Sequence, residues 1–464
     1  MDSANGGYPY RANMRSFSLG QSIVVATAAG GLGWALAWNG AATVMALLFL
    51  AQTVFLAAAA WRVLLILASD RPDPGPEFTT ATPRYTILVA LLDEAEILPQ
   101  LVDRLDAIDY PRDRLEGLLL LEANDKSTQA AAAACGLPAW LKVLIVPPGG
   151  PRTKPAALNA GLAAASGAFL TVYDAEDDPD PRQLREAVAR FAADRTGRLA
   201  TLQAPLRIRR SSGSESPFLD RQFAIEYAAL FEVALPGMAR LGLPFPLGGT
   251  SNHFSVRILR AVGGWDAHNV TEDADLGFRL WRSGYRLGML RRPTYETPPG
   301  DMVDWLPQRT RWLKGFMQTW GVHTRSPAGL GWRGHLSLTM TLGLSLLAAV
   351  AHAPSLAALI ATVAMTTVAG LPPETPRFAL IVLVMGLSAA WVNGSVGARR
   401  AGVPCSVADL IVAPAYWSLL TLAFGHAIWR LGAEPFAWDK TRHRRDPAVE
   451  IAALAEVDAG REAA

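Results

Sequence analysis

Apolar positions are distributed very unevenly along this chain. They run almost unbroken from Ser22 to about Trp38 and from Ala41 to about Ser69. From about Asp70 to Arg333 they thin into a mixed, charged stretch, and from Gly334 to Leu431 they dominate again. Each of the first two runs is near the ~20 residues that a bilayer core requires. Asn39-Gly40 between them fits a tight turn, so a helical hairpin is expected. Breaks at His352-Ala353-Pro354, at Leu371 to Pro376 and at Arg399-Arg400 divide the last block into about four further helices, about six in all. A cleaved signal peptide is the alternative for the first run, and the second long run that follows at once argues against it.

The central stretch has a different period. Tyr85 to Leu91, Gly117 to Leu121, Leu141 to Val146 and Phe169 to Tyr173 are short apolar runs with β-branched residues, which predict buried strands. Glu96 to Ile108 and Ala156 to Ala165 carry helical spacing. Strands alternating with helices imply a parallel sheet with short crossovers, whose ligands sit beyond the carboxyl ends of the strands. Asp304 to Trp320 sets four aromatic residues among Arg309, Arg311 and Lys314, which predicts an amphipathic helix at the membrane interface.

Composition supports membrane content: 51% of residues are hydrophobic and 18% charged, with a mean hydropathy of +0.19. The net charge of +2 gives no electrostatic case for nucleic acid. Cys135 and Cys405 offer neither a disulfide framework nor metal spacing. Arg11 and Arg15, Arg71 and Arg84, and Lys440 to Arg445 flank the apolar blocks, and an even number of spans puts them all on the cytoplasmic side. Arg399-Arg400 would then face outward, against the rule.

Four segments carry chemistry. Asp174-Ala175-Glu176-Asp177-Asp178-Pro179-Asp180 follows a strand and crowds five carboxylates, as suits hard-oxygen binding of Mg²⁺ or Mn²⁺; an acidic surface turn is the alternative. Arg152-Thr153-Lys154-Pro155 opens a helix and offers an anion site, or only a cap. Thr271-Glu272-Asp273-Ala274-Asp275 opens another helix. Acidic first turns are favoured by the helix dipole, but three carboxylates there also suit a general base. Gln308-Arg309-Thr310-Arg311-Trp312 supplies arginines for a diphosphate and an indole for a sugar, or interfacial anchors. His253, in the polar loop Pro244 to Phe254, reads as a structural hydrogen-bonder.

In this order, Asp174-Ala175-Glu176-Asp177, Thr271-Glu272-Asp273 and Gln308 to Trp312, between apolar helices, resemble membrane-embedded family 2 glycosyltransferases, the group of cellulose and hyaluronan synthases. Gly248 to Phe254 with Asn269 to Gly277 is most similar to a bacterial inner-membrane subgroup that includes the glycosyltransferase portion of bacteriophage N4 adsorption protein B. Pro435 to Thr441 is a weaker match. The resemblance implies an α/β GT-A domain inserted between N- and C-terminal transmembrane helices. It also implies an inverting transfer of sugar from a nucleotide-sugar, UDP-linked by expectation, with Mg²⁺ or Mn²⁺. Carried over by motif, Asp174 and Glu176 hold the metal, with Asp177 open as the alternative second ligand. Asp125, Lys154, Asn159, Gln308, Arg309 and Arg311 meet the donor and its diphosphate. Asp273 deprotonates the acceptor, and Glu272 and Trp312 contact it. Glu122-Ala123-Asn124-Asp125-Lys126-Ser127 departs from the usual paired aspartates, so only Asp125 transfers.

The expected layout is a cytoplasmic segment 1–21, a hairpin 22–69, a cytoplasmic catalytic domain 70–301, an interface helix 302–333, transmembrane helices 334–431 and a cytoplasmic tail 432–464, at a bacterial inner membrane. The first expectation is extension of a polysaccharide on a glycan or lipid-linked acceptor. A single addition to a polyprenyl-phosphate lipid and a catalytically silent scaffold or receptor are the alternatives.

Overall fold

The structure is a computed structural model and describes residues 12, 18–70, 76, 79–148, 151–209, 216–370 and 377–437. Arg11, Arg15, Arg71, Leu371 to Pro376, and the tail from Trp438 to Ala464 lie outside the described residues. The four expected strands are present: β1 (Tyr85–Leu91), β2 (Leu115–Glu122), β3 (Leu141–Val146) and β4 (Phe169–Tyr173). Six more are short: β5 (Asp178–Pro179), β6 (Leu199–Gln203), β7 (Leu206–Ile208), β8 (Asn252–Ser255), β9 (Arg286–Met289) and β10 (Thr294–Glu296). The main sheet has the order β3-β2-β1-β4-β8-β6-β9, and a small one the order β5-β10-β7.

The main sheet is mixed rather than all parallel, because β8 runs antiparallel to both β4 and β6. The polar loop expected at Pro244 to Phe254 therefore ends in a buried strand. Its polar side chains bond inside the core, except at Asn252 Oδ1, which has no hydrogen-bond partner. His253 Nδ1 pairs with the Tyr85 hydroxyl at 2.7 Å and its Nε2 with Gln183 Oε1 at 2.9 Å. Burial lowers the His253 pKa to about 3, so the ring is neutral and structural.

Alternate residues of β1 feed two cores, as strand periodicity requires. Ile87, Val89 and Leu91 pack with Leu101, Leu105 and Val188. Leu88 packs instead with Leu158, Phe223 and the apolar helix residues Trp61 and Leu65. The second core is thus shared between the sheet and the first apolar helices. Contact there is close: a Cβ on Gly237 would stand 2.7 Å from the Leu65 carbonyl, and one on Gly397 would stand 2.6 Å from the Ala228 backbone.

Leu19–Ser69 is helical except at Asn39 (φ −154°, ψ 88°), whose side chain accepts from Ala42 N at 3.0 Å and caps the second arm. Both ends of this element return to the mixed α/β body and the helix packed on it. Gln21 Nε2 donates to Gly321 O and Thr324 Oγ1, each at 2.9 Å, while Ser69 accepts from Arg400 at 2.8 Å. The element therefore doubles back at Asn39.

Among the described residues, four helices are long and apolar enough to cross a membrane: Leu19–Ser69, Gly331–Ala358, Ile381–Ala401 and Val407–Ala433. Among the described residues the C-terminal block holds three apolar helices, where about four are expected from the sequence. Leu344–Ala369 continues through the expected break at Pro354, as prolines in apolar helices can.

The outward placement of Arg399-Arg400 is also overturned for Arg400. Its guanidinium bonds Ser69 Oγ (2.8 Å), the Glu232 carbonyl (3.0 Å) and Asp70 (2.9 Å), at the foot of the hairpin and against the α/β body. Val407–Ala433 has both ends on that body too. Asp409 pairs with Arg221 at its start, and Glu434 O and Ala437 O accept from Lys314 Nζ at its end.

Candidate active site

The carboxyl ends of β1, β2 and β4 converge on one cleft. After β4, Asp174 forms an ion pair with Lys154, which also donates to Gly249 O at 2.7 Å. Burial would lower the Lys154 pKa, but Asp174 and Glu272 outweigh it and hold the ammonium above its usual range. Lys154 starts the helix Lys154–Ala164, with Thr153 at the N-cap position. Thr153 does not cap through its side chain; its hydroxyl donates to Ala267 O at 3.0 Å and ties this helix to the chain before Asp273.

The acidic run after β4 is no simple surface turn. Asp178 pairs with Arg209, and Asp180 with Arg292 at 3.2 Å. Asp177 is fully buried, accepting from Thr250 Oγ1 and from Asp174 N (2.7 Å). Its Oδ1 has no hydrogen-bond partner, and burial and Asp174 push its pKa well up. Glu296, at the end of β10, is likewise pushed up by burial and by Asp177, Glu176 and Asp174. Glu176 accepts from Thr297 Oγ1 at 3.2 Å. Among the described residues no three His, Cys, Asp or Glu side chains form a ready metal cage. An orphaned carboxylate oxygen amid mutually repelling hard donors nonetheless fits a divalent cation whose remaining ligands come from a substrate diphosphate.

Across Gly249 lies the second acidic pair. Thr271 sits at the N-cap position of the helix Glu272–Arg282, which ends before Gly284 (φ 83°). Glu272 is buried, and burial together with Asp273 pushes its pKa up to about 8. Asp273 is half-buried and burial raises it to about 6, while Lys154 and Arg311 pull it down. Asp273 Oδ1 accepts from Ala274 N at 2.7 Å. Its Oδ2 faces the Gly249 strip: a methyl on Gly249 would stand 3.5 Å from that oxygen and 3.9 Å from Lys154 Nζ. A carboxylate, an ammonium and a side-chain-free strip thus enclose one space.

The helix Met302–Thr324 closes the site. Gly315 lets it approach Thr271, where a Cβ would meet the threonine hydroxyl at 2.3 Å. Gln318 Oε1 accepts from Val270 N (3.1 Å), while its Nε2 donates to Pro435 O (2.7 Å). The chain after the last helix is thereby pinned beside the acidic pair as far as Ala437; Trp438 to Thr441 of the weaker motif lie outside the described residues.

Not every expected residue is free to meet a donor. Asn159 spends both ends of its amide on Trp265, donating to its O at 2.8 Å and accepting from its N at 2.9 Å. Asp125 caps the helix Lys126–Ala134 and accepts from Thr128 N (3.1 Å), Ser127 Oγ (2.9 Å) and Asp93 N (2.7 Å). Those bonds hold its carboxyl below the usual range against the upward push of burial. Arg309 is buried in a fork-to-fork pair with Glu226 (2.9 and 2.6 Å), bonds the Tyr416 hydroxyl (2.8 Å) and lies 4.5 Å from the centre of the Trp312 ring. Trp305 is fully buried against Tyr416 and is no interfacial anchor. Arg311 instead exerts its charge on Glu272 and Asp273. Gln308 turns its buried Oε1 to no hydrogen-bond partner.

Asn124 and Arg152 meet beside the donor end. In the amide orientation that satisfies both, Asn124 O accepts from both terminal nitrogens of Arg152, at 3.0 and 3.1 Å. A 240 Å³ cavity opens there, lined by Glu122, Asn124, Val146, Pro148 and Arg152.

Two family profiles match this chain: "Glycosyl transferase family group 2" over residues 169–393 and "Glycosyl transferase family 2" over residues 86–232. The chain carries glycosyltransferase family 2 domains. A beta-monoglucosyldiacylglycerol synthase from Synechocystis sp. is 28% identical over 320 residues, 66% of this chain and 64% of that one. A cellulose synthase catalytic subunit from Komagataeibacter sucrofermentans is 27% identical over 259 residues, 54% of this chain and 33% of that one. The chain spans about half to two thirds of the length of the curated relatives it matches first (55% and 64%). A mannosyltransferase from Pyrobaculum calidifontis, solved with GDP-Man and Mn²⁺, superposes with a TM-score of 0.52 at 17% identity, over 82% of this chain and 98% of that one. The family 2 domain therefore has the GT-A fold, with apolar helices at its N-terminal side and in the C-terminal region.

Proposed function

We propose that this protein is an inverting glycosyltransferase that moves a sugar from a nucleotide-sugar onto a growing glycan at the inner face of a bacterial inner membrane. The observation that carries this reading is the raised acidic pair Glu272 and Asp273 held opposite Lys154 and Arg311. Asp273, the more accessible of the two, takes the proton from the acceptor hydroxyl. The hydroxyl oxygen forms its bond to the anomeric carbon from the face opposite the departing diphosphate. Lys154 and Arg311 compensate the charge that gathers on that diphosphate. The donor base sits in the cavity of Glu122, Asn124 and Arg152, and Asp125 shapes its floor by holding the turn at Asp93.

Asp174 and Glu176, with the orphaned oxygen of Asp177 behind them, would hold Mg²⁺ or Mn²⁺, which supplies charge to bind and activate the diphosphate. Trp312 offers its indole to the acceptor sugar, and Arg309 stacks on the opposite side to fix it. The Mn²⁺ in the archaeal mannosyltransferase supports the metal, while its GDP-Man leaves a GDP-sugar as open as a UDP-sugar. The shared core of hairpin and sheet supports action at the membrane surface.

A one-step transfer to a lipid is the second reading, favoured by the glucosyldiacylglycerol synthase relative that covers 66% of this chain. Membranes containing the protein, given labelled UDP- and GDP-sugars with Mg²⁺ or Mn²⁺, separate the two. A ladder or polymer from one donor supports glycan extension, and a single lipid-soluble product supports the second reading. No release of nucleoside diphosphate from any donor, with glycan and lipid acceptors present, would sink both.

The acidic pair also sets a pH dependence. Asp273 must be ionised to act, so kcat/KM is expected to rise with pH through about 6. Ionisation of Glu272 near 8 then adds a second negative charge beside the leaving diphosphate and lowers the rate again. A profile of kcat/KM with no limb near 6 would remove Asp273 from the role of base.

A further inference from the structure

The helix Met302–Thr324 grips the acidic first turn of Glu272–Arg282 on both sides of Asp273. Ahead of it, Asn269 Nδ2 donates to Thr319 Oγ1 at 3.0 Å, Val270 N donates to Gln318 Oε1 at 3.1 Å, and Gly315 lies against Thr271. Behind it, His323 Nε2 stands 3.1 Å from Asp275 Oδ1. His323, Asp275 and Thr319 are fully buried, so none of them reaches a substrate.

The imidazole is oriented by chemistry as well as by packing. Its Nδ1 lies 3.2 Å from Arg282 Nε, which can only donate. Nδ1 therefore accepts, and the ring hydrogen sits on Nε2 and points at Asp275. Charge balance does not require that bond. Arg279 already pairs with Asp275 at 2.6 Å, and its terminal nitrogens donate to Val262 O (3.2 Å) and Gly264 O (2.8 Å). Burial pushes the Asp275 carboxyl up, but Arg279 and His323 outweigh it and hold it below its usual range.

What His323 adds is register. Arg311 stands on the same helix as His323 and exerts its charge on Glu272 and Asp273. The helix of the base and the helix of that arginine can turn against each other unless both sides of the first turn are held. We propose, on the reading of Asp273 as the base, that His323 is a positioning residue whose Nε2–H bond to Asp275 sets Asp273 against Arg311. A misplacement of about 1 Å between reacting groups can cost about 10²-fold in rate.

The test compares His323→Asn with His323→Gln in the full chain in membranes, with Asp273→Asn and Arg311→Ala alongside. The shorter amide takes the Nδ1 position and can accept from Arg282, but falls short of Asp275. The longer one takes the Nε2 position and can donate to Asp275. Turnover per folded molecule is followed with the UDP- or GDP-sugar that wild type uses, and binding of UDP or GDP by titration. His323→Asn is expected to lower kcat about 10–10²-fold with nucleotide affinity unchanged, and His323→Gln to recover most of that loss. Arg311→Ala should cost less in the His323→Asn protein than in wild type, because the two residues act through one geometry. Equal kcat in the two amide variants while Asp273→Asn is slow, or losses at His323 and Arg311 that simply multiply, overturns the proposal and leaves Asp273 as the base. Near-normal turnover of Asp273→Asn overturns the reading of the base and the proposal with it.

Discussion

Asp273→Asn is expected to lower kcat by about 10²–10⁴-fold, the usual worth of a positioned general base, with donor affinity nearly unchanged. The amide keeps the size of the carboxyl and can still accept from Ala274 N through its oxygen. It cannot take a proton at the oxygen that faces the Gly249 strip. Removing the charge also relieves Glu272, whose pKa Asp273 helps to raise, so the limb near 8 should move down in any residual activity. Donor binding measured by titration alongside turnover separates this from a folding defect. Near-normal turnover in the variant would place the base elsewhere.

The two arginines of Gln308-Arg309-Thr310-Arg311-Trp312 are expected to fail in opposite ways. Arg311→Ala removes a charge felt by both Glu272 and Asp273, and should cost about 10²–10³-fold in kcat, as for loss of one group that stabilises developing charge. Its melting behaviour should change little. Arg309→Ala removes a guanidinium with side-chain exposure of 4% from Glu226, Tyr416 and the faces of Phe223, Trp305 and Trp312. Breaking a fully buried ion pair costs about 3–5 kcal/mol, and the 37% exposure of Glu226 brings the expectation down to about 2–3 kcal/mol of stability. Thermal unfolding in detergent together with turnover per folded molecule distinguishes the two variants. A stable Arg309→Ala protein with lost turnover would return Arg309 to the diphosphate.

Spacing places both arginines on one helix, but only packing decides which of them faces the cleft. Arg309 is claimed by Glu226 and Tyr416, which lie 83 and 107 residues away, on helices that no local pattern links. Asn159 is similarly claimed by Trp265, 106 residues away. The strands β1 to β4 are legible in the sequence because continuous apolar runs announce buried strands. β8 is not, since Asn252-His253 is polar and the His253 ring is satisfied only by the distant Tyr85 and Gln183. The apolar helices are legible as composition, while their ends are not. Pro354 promises a break through which the helix in fact continues, and Arg400 promises a loop on the far side that Asp70 and Ser69 hold near. Glu296 gives no sequence signal at all; it joins the acidic cluster only because β10 pairs with β5 and β7.

The most direct test of the proposed chemistry is the anomeric configuration of the first product, read by proton NMR on the new glycosidic bond after turnover of the cognate donor. One base, Asp273, acting on an acceptor opposite the diphosphate, predicts a configuration inverted from that of the donor sugar. Retention of the donor configuration would contradict single displacement at this site, and with it the action of Asp273 as the base.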